Sequence, residues 1–152
     1  MGFTALANAA SVSGEVARVD DGDTLVVLDA EKRAHTVRLL GVDAPELGQE
    51  SGEAAKNNLS RLAWGRAVLA ECRTALPPST RLCVVRVGGQ DIGLTQIVEG
   101  MAWRSRADAA QQTRTERADY DQAEFMAKIR RRGLWNAKNP TPPWDWRAKH
   151  RR

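Results

Sequence analysis

The strongest constraint on this chain is a train of five short apolar runs rich in β-branched residues, each closed by a turn signal. They lie at Val12–Val19, Thr24–Leu28, 35–40, 67–72 and 82–87. Asp20-Asp21-Gly22 and the polar stretch 29–32 separate the first three, and Pro45 ends the third because proline cannot continue a ladder. After it, Ser51 is placed to cap a helix whose Ala55, Leu59, Leu62 and Ala63 recur at helical spacing until Gly65 stops it. Leu94, Ile97, Val98 and Met101 predict a short amphipathic helix ending near Gly100. Thr113 and Glu116 form a capping-box pattern. It opens a long helix with Tyr120, Ala123 and Ala127 on one face, stopped by Gly133, and Pro140, Pro142 and Pro143 then predict an extended tail. Only one helix is available as a crossover, which argues against a parallel sheet. The pattern predicts a β-rich α+β domain, a five-stranded OB-type β-barrel with about three α-helices.

A chain of 152 residues has room for one such domain. Residues 12–147 form it, preceded by an arm at 1–11 and followed by a basic tail at 148–152. The arm contains Ala5-Leu6-Ala7-Asn8-Ala9-Ala10, small residues that suit either a signal-peptide remnant or a plain flexible arm. No run approaches the ~18 apolar residues of a membrane-spanning helix, so no membrane insertion is expected; the domain is read as a monomer. The net charge of +4 conceals two poles: residues 1–103 carry 10 basic and 13 acidic side chains, and residues 104–152 carry 13 and 6. The basic part suits an anionic partner.

Cys72 and Cys83 flank the segment 73–82 between two strand-like runs. If those runs pair, the thiols face each other as a disulfide; otherwise they pack as small buried hydrophobes. A bridge would imply an oxidising compartment, periplasmic or secreted, rather than the cytoplasm. Two cysteines without a CxxC pattern and two histidines, His35 and His150, leave no zinc set and no His-based hydrolase. His35 is expected to be solvated.

Chemistry-bearing groups concentrate in Asp20-Asp21-Gly22-Asp23-Thr24 and in Arg38-Leu39-Leu40-Gly41-Val42-Asp43-Ala44-Pro45-Glu46. Asp23 opens one strand and Asp43 closes the neighbouring one, so pairing brings both carboxylates to one end of the hairpin. Two carboxylates, a backbone carbonyl and water are the hard oxygen donors that Ca²⁺ or Mg²⁺ takes. Pro45 fixes the turn that aims the Ala44 carbonyl and Glu46 there. Taken singly, each segment also reads as an ordinary turn, with Asp bonding its own backbone.

Read together with Ile97-Val98-Glu99-Gly100-Met101-Ala102-Trp103, Gly133-Leu134-Trp135 and Pro142-Pro143-Trp144-Asp145-Trp146-Arg147, these segments give the chain a recognisable pattern. Over roughly residues 13–147 it resembles the staphylococcal (micrococcal) nuclease, or thermonuclease, family. The resemblance implies Ca²⁺-dependent, sequence-nonspecific hydrolysis of DNA and/or RNA on the 5′-oxygen side, leaving 3′-phosphates. It makes Asp23, Asp43 and the Ala44 carbonyl the Ca²⁺ ligands, with Asp21 beside them. Glu46 is then the general base and Arg38 the phosphate-binding arginine.

The family also places a second catalytic arginine at the start of the fifth strand. Here Thr80 stands there with Arg81 one residue later, so Arg81 fills the role only if a one-residue deletion restores it; otherwise it faces the opposite side of the strand. The family's two base-stacking tyrosines are missing after Trp103, and Arg104 or Arg106 is the candidate to replace them. Trp64, Trp103 and Trp135 are expected in the core, Trp144 and Trp146 as anchors of the tail, and 128–132 as a solvated helix end. The rival reading is an inactive OB module that binds nucleic acid or a protein.

Overall fold

The structure, a computed structural model, describes residues 11–77 and 79–151. Four strands come first: β1 (Val12–Val19), β2 (Thr24–Leu28), β3 (Ala34–Leu39) and the two-residue β4 (Val42–Asp43). Helix α1 (Gly52–Ala63) leads to a hairpin of β5 (Ala67–Leu76) and β6 (Thr80–Val87), then to the short β7 (Gln90–Asp91). Helix α2 (Ile92–Val98), the short β8 (Trp103–Arg104), α3 (Arg114–Ile129) and α4 (Pro143–Lys149) complete the chain. Single 3₁₀ turns occupy Arg106–Gln111 and Gly133–Asn136.

β1 pairs antiparallel with β2 and β5, β2 with β3, and β5 with β6. A parallel pairing of β3 with β6 then closes the ring, giving the five-stranded mixed barrel that the sequence pattern predicts. Its interior holds Val16, Leu25, Val27, Val37, Leu39, Ala70 and Val85, and Leu59 of α1 and Ile97 of α2 pack into the same core. A bulge between Val16 and Arg18 shifts the phase of β1, so Val16 and Val19 are both buried; this explains its imperfect alternation. On the other face of β6, Leu82 and Val84 join Leu40 in a small second cluster.

Cys72 and Cys83 are register partners across β5 and β6 and are joined by a disulfide. The segment 73–82 is mostly ladder, with turn conformation at residues 77 and 79. The capping box forms: Thr113 Oγ1 accepts from the Glu116 amide at 3.1 Å, and Glu116 accepts from the Thr113 amide at 2.8 Å.

Four expectations need correction. Ser51 stands at the N-cap of α1 but makes no cap bond, because it enters the helix in a left-handed conformation (φ +70°) from the tight turn of residues 46–52. Trp64 is 67% exposed, because the chain leaves the helix extended at that residue. His35 is tucked against Asp29, its Nε2 2.8 Å from Oδ2. The tail is not extended: Pro143 sits in the first turn of a fourth helix, where its fixed φ suits the helix and its missing N–H costs nothing.

The Gly-Leu-Trp block has a structural origin. Gly100 (φ +72°) and Gly133 (φ +52°) face each other, and the Leu134 amide donates to the Gly100 carbonyl at 2.9 Å. A Cβ on Gly100 would lie 2.2 Å from the Arg132 carbonyl oxygen, and one on Gly133 would lie 2.3 Å from that of Gly100. No side chain fits at either position, and the pair locks the end of α3 onto the segment that follows α2.

Candidate active site

The site grows from the β2–β3 hairpin, where Thr24 and Arg38 are register partners. Before β2 the chain makes an Asx turn, Asp21 Oδ1 accepting from the Asp23 amide at 2.9 Å. Gly22 fits between the methyl groups of Ala44 and Ala55, each 2.6 Å from where its own Cβ would be. Its carbonyl accepts from the fully buried Gln96 amide at 2.8 Å, and Gln96 in turn accepts from Asn58 at 2.6 Å. Helices α1 and α2 thereby clamp the turn that carries Asp21 and Asp23.

Asp23 is buried, accepting from the Ala44 amide at 2.8 Å and from the Thr24 hydroxyl at 2.9 Å. Burial, reinforced by the charge of Asp21, pushes its carboxyl up to about 8; the Ala44 amide and the nearby Arg38 pull back against this. Arg38 Nη2 donates to the Val42 carbonyl at 3.3 Å and lies 3.7 Å from Asp108. Asp108 also accepts from the Gly41 amide at 2.9 Å, so the 3₁₀ turn braces the loop between β3 and β4.

β4 pairs with β8, placing Asp43 opposite Trp103. Asp43 is buried, and both of its oxygens accept from Arg147 of α4, at 3.0 and 2.9 Å. Arg147 Nη1 also reaches Glu46 Oε1 at 2.9 Å, while the Glu46 amide is held by Gln49 Oε1 at 3.0 Å. Beside this cluster is a cavity of about 370 Å³ lined by Asp43, Arg104, Ser105, Arg106, Trp144 and Arg147. Trp144 is 44% exposed there, with its ring edge-on to Trp103. Asp21, Asp23, Asp43, Glu46 and Arg38 therefore share one end of the barrel.

The family model for staphylococcal nuclease homologues matches residues 36–137. The chain belongs to the staphylococcal nuclease family. A protein of Shigella flexneri named micrococcal nuclease is 35% identical over 147 residues, covering 91% of this chain and 82% of that protein. An uncharacterized endonuclease of Haemophilus influenzae is 32% identical over 136 residues (90% and 73%), and the ParB protein of Escherichia coli is 31% identical over 149 (92% and 81%). This staphylococcal nuclease homologue is accordingly an enzyme, a hydrolytic nuclease on an OB-type barrel. None of the helices among its described residues is long and apolar enough to cross a membrane.

Two candidates stand apart in this staphylococcal nuclease homologue. Arg81 shares the face of β6 that carries Cys83 and Val85 into the core, and it lines a separate cleft with Ser13, Asp29 and His35. Thr80, not Arg81, lies on the Leu82 face that Arg38 shares through its register partner. Arg104 is buried and ion-paired to Asp121 at 2.9 Å, which leaves Arg106 as the exposed one of the two candidates.

Sequence reasoning missed Gln96, Asp108, Gln49 and Arg147. Gln96 carried a signal, a polar residue beside Ile97 on a short apolar helix. Arg147 ended a motif block, but the prolines concealed the helix that delivers it.

The donor chemistry fits a hard divalent cation. Asp23 supplies a carboxylate against the Ala44 amide, Asp43 supplies that of the preceding residue, and the guanidinium on Asp43 shows that this carboxylate binds a cationic group. Among the described residues no three Asp, Glu, His or Cys side chains converge as a preformed cage. A backbone carbonyl and water would have to complete the shell, as hard cations allow.

Proposed function

We propose that this nuclease hydrolyses phosphodiesters of DNA and/or RNA without sequence preference, in a Ca²⁺-dependent reaction at the Asp23–Asp43–Glu46–Arg38 cluster. The observation that carries the reading is the bridging of buried Asp43 and part-exposed Glu46 by Arg147, next to the Ala44 amide that holds buried Asp23, with Arg38 at the same end of the barrel. Asp23, Asp43 and the Ala44 carbonyl would hold the cation, with Asp21 alongside. When bound, a divalent cation supplies Lewis-acid stabilisation of the phosphate and a template for its orientation.

The chain's own groups do the rest. Glu46, about one-third exposed, takes the proton of the attacking water. The water oxygen bonds to phosphorus and the bond to the 5′-oxygen breaks. The leaving oxygen picks up a proton, and a 3′-phosphate remains. Arg38, oriented by the Val42 carbonyl and Asp108, offers its other N–H groups to the phosphate oxygens as their charge grows. The surplus of basic residues after 103 favours approach of the polyanion. The Cys72–Cys83 bond favours an oxidising setting, periplasmic or secreted.

Incubated with single-stranded DNA, duplex DNA and RNA in Ca²⁺, the protein is expected to yield fragments bearing 3′-phosphate and 5′-hydroxyl ends. Salt-sensitive oligonucleotide retention without cleavage at any Ca²⁺ concentration would instead support the binding-module reading.

A further inference from the structure

Arg147 reaches the site from the far end of the chain, and its placement is well anchored. The Trp144 ring meets Trp103 with centroids 6.2 Å apart, and Trp146 covers Gly48, where an added Cβ would come within 3.2 Å of its ring. Gln49 donates to the Thr141 carbonyl as well as accepting from the Glu46 amide. The C-terminal helix and the Glu46 loop are thus fastened to each other, with Arg147 between the groups assigned to the cation and to the base.

The charge balance gives this arginine a role. Asp21, Asp23, Asp43 and Glu46 crowd the site, and a phosphodiester adds a negative charge, shared by its two non-bridging oxygens, that grows as the deprotonated water attacks. Arg38 has part of its fork committed to the Val42 carbonyl and stands beside Asp108. At the start of β6 the Arg38 face carries Thr80, and Arg86, further along that face, is paired with Glu71 at 3.4 Å. Arg147 gives three hydrogen bonds to Asp43 and Glu46 out of five N–H groups, leaving two for another acceptor. The cavity it lines also holds Arg106 and the buried Arg104, whose Nε has no acceptor among the described residues.

We propose that Arg147 is the second phosphate-binding arginine of this active site, supplied by the C-terminal helix instead of β6, and that it competes with the cation for Asp43. The inference rests on the nuclease reading above. Asp43 cannot offer both oxygens to a guanidinium and to a cation together, so cation binding turns the fork toward the phosphate. In the free protein Arg147 bridges the two carboxylates and offsets one of their two charges.

Three readouts on Arg147→Ala and Arg147→Lys test this. First, binding of a cleavage-resistant phosphorothioate single strand in Ca²⁺ is expected to weaken at least ~10-fold in Arg147→Ala, and Lys should restore it only in part because it lacks the planar fork. Second, calorimetric titration with Ca²⁺ alone is expected to show tighter cation binding in Arg147→Ala. Third, kcat at saturating Ca²⁺ is expected to fall ~10²-fold or more. Arg147→Lys keeps the aliphatic stem, so it carries the test if the alanine variant does not fold. Unchanged oligonucleotide binding, unchanged or weaker Ca²⁺ binding, or faster cleavage would overturn the proposal; the last would make Arg147 an inhibitory clasp. If the wild type cleaves nothing, the nuclease reading fails while the two binding readouts still decide the role of Arg147.

Discussion

Glu46→Gln is expected to lower kcat on single-stranded DNA by ~10² to ~10⁴-fold with little change in KM. Glutamine has the same shape, and its amide oxygen still accepts from Arg147, so the clasp survives. The contact with Gln49 uses the Glu46 backbone amide and is untouched. What disappears is the ability to take a proton from water. A fall in kcat alone is the signature of a group used in the transition state and not in binding. Steady-state kinetics at saturating Ca²⁺ measure it. A loss below ~5-fold would remove Glu46 from the reaction, since a positioned base contributes ~10² or more.

The second large effect concerns Asp23. Burial and the charge of Asp21 raise its carboxyl to about 8, so the folded protein holds that proton more tightly than the unfolded chain does. A raised acid contributes stability at low pH that is lost as pH climbs from the ordinary carboxylate range, near 4, through the folded value. Asparagine has no such charge. Its amide oxygen can accept from Ala44 and its NH₂ can donate to the Thr24 hydroxyl.

In chelator, Asp23→Asn is therefore expected to exceed the wild type in stability at pH 8, by on the order of a few kcal/mol, with the gap narrowing toward pH 5. Other carboxylates bend the absolute curves the opposite way. Glu116 is pushed up by burial but held low overall by Arg73 and the Thr113 amide, so its contribution is present at neutral pH and fades in acid. The difference between the two proteins isolates Asp23. Adding Ca²⁺ at pH 8 should raise the wild-type urea midpoint more than that of the variant, because the cation binds only the folded carboxylate pair. A gap that stays constant with pH would show that Asp23 is not held protonated.

How much of this was legible in the sequence depended on whether the cause was local. The runs at Val12–Val19 and Thr24–Leu28 became strands because β-branched alternation is decided within a few residues. The Thr113–Glu116 box formed because both partners lie in one turn. That Asp23 comes beside the 43–44 segment could be foreseen from the hairpin, and the Ala44 amide does donate to Asp23 at 2.8 Å. Asp43 itself does not close β3 but stands on β4, opposite Trp103 of β8, a long-range pairing that periodicity does not reveal. Ser51 failed because the preceding tight turn, not the capping propensity of serine, sets its backbone. Trp64 failed because it leaves the helix as the chain turns extended, which places a large apolar ring in solvent. Gln96, Asp108 and Arg147 act across 74, 67 and 104 residues of separation, distances at which composition and periodicity carry no information. The prolines of 142–143 misled most, since the same residues that forbid a helix interior also favour a helix start.

The assignment of catalysis to this carboxylate pair is tested most directly by following cleavage of a single-stranded oligonucleotide against Ca²⁺ concentration, for the wild type and Asp43→Ala. Wild-type cleavage is expected to saturate with Ca²⁺ and to stop in excess chelator. The variant is expected to need far more Ca²⁺ and to remain slow when saturated. Cleavage that survives the chelator, or the same Ca²⁺ dependence in both proteins, would contradict it.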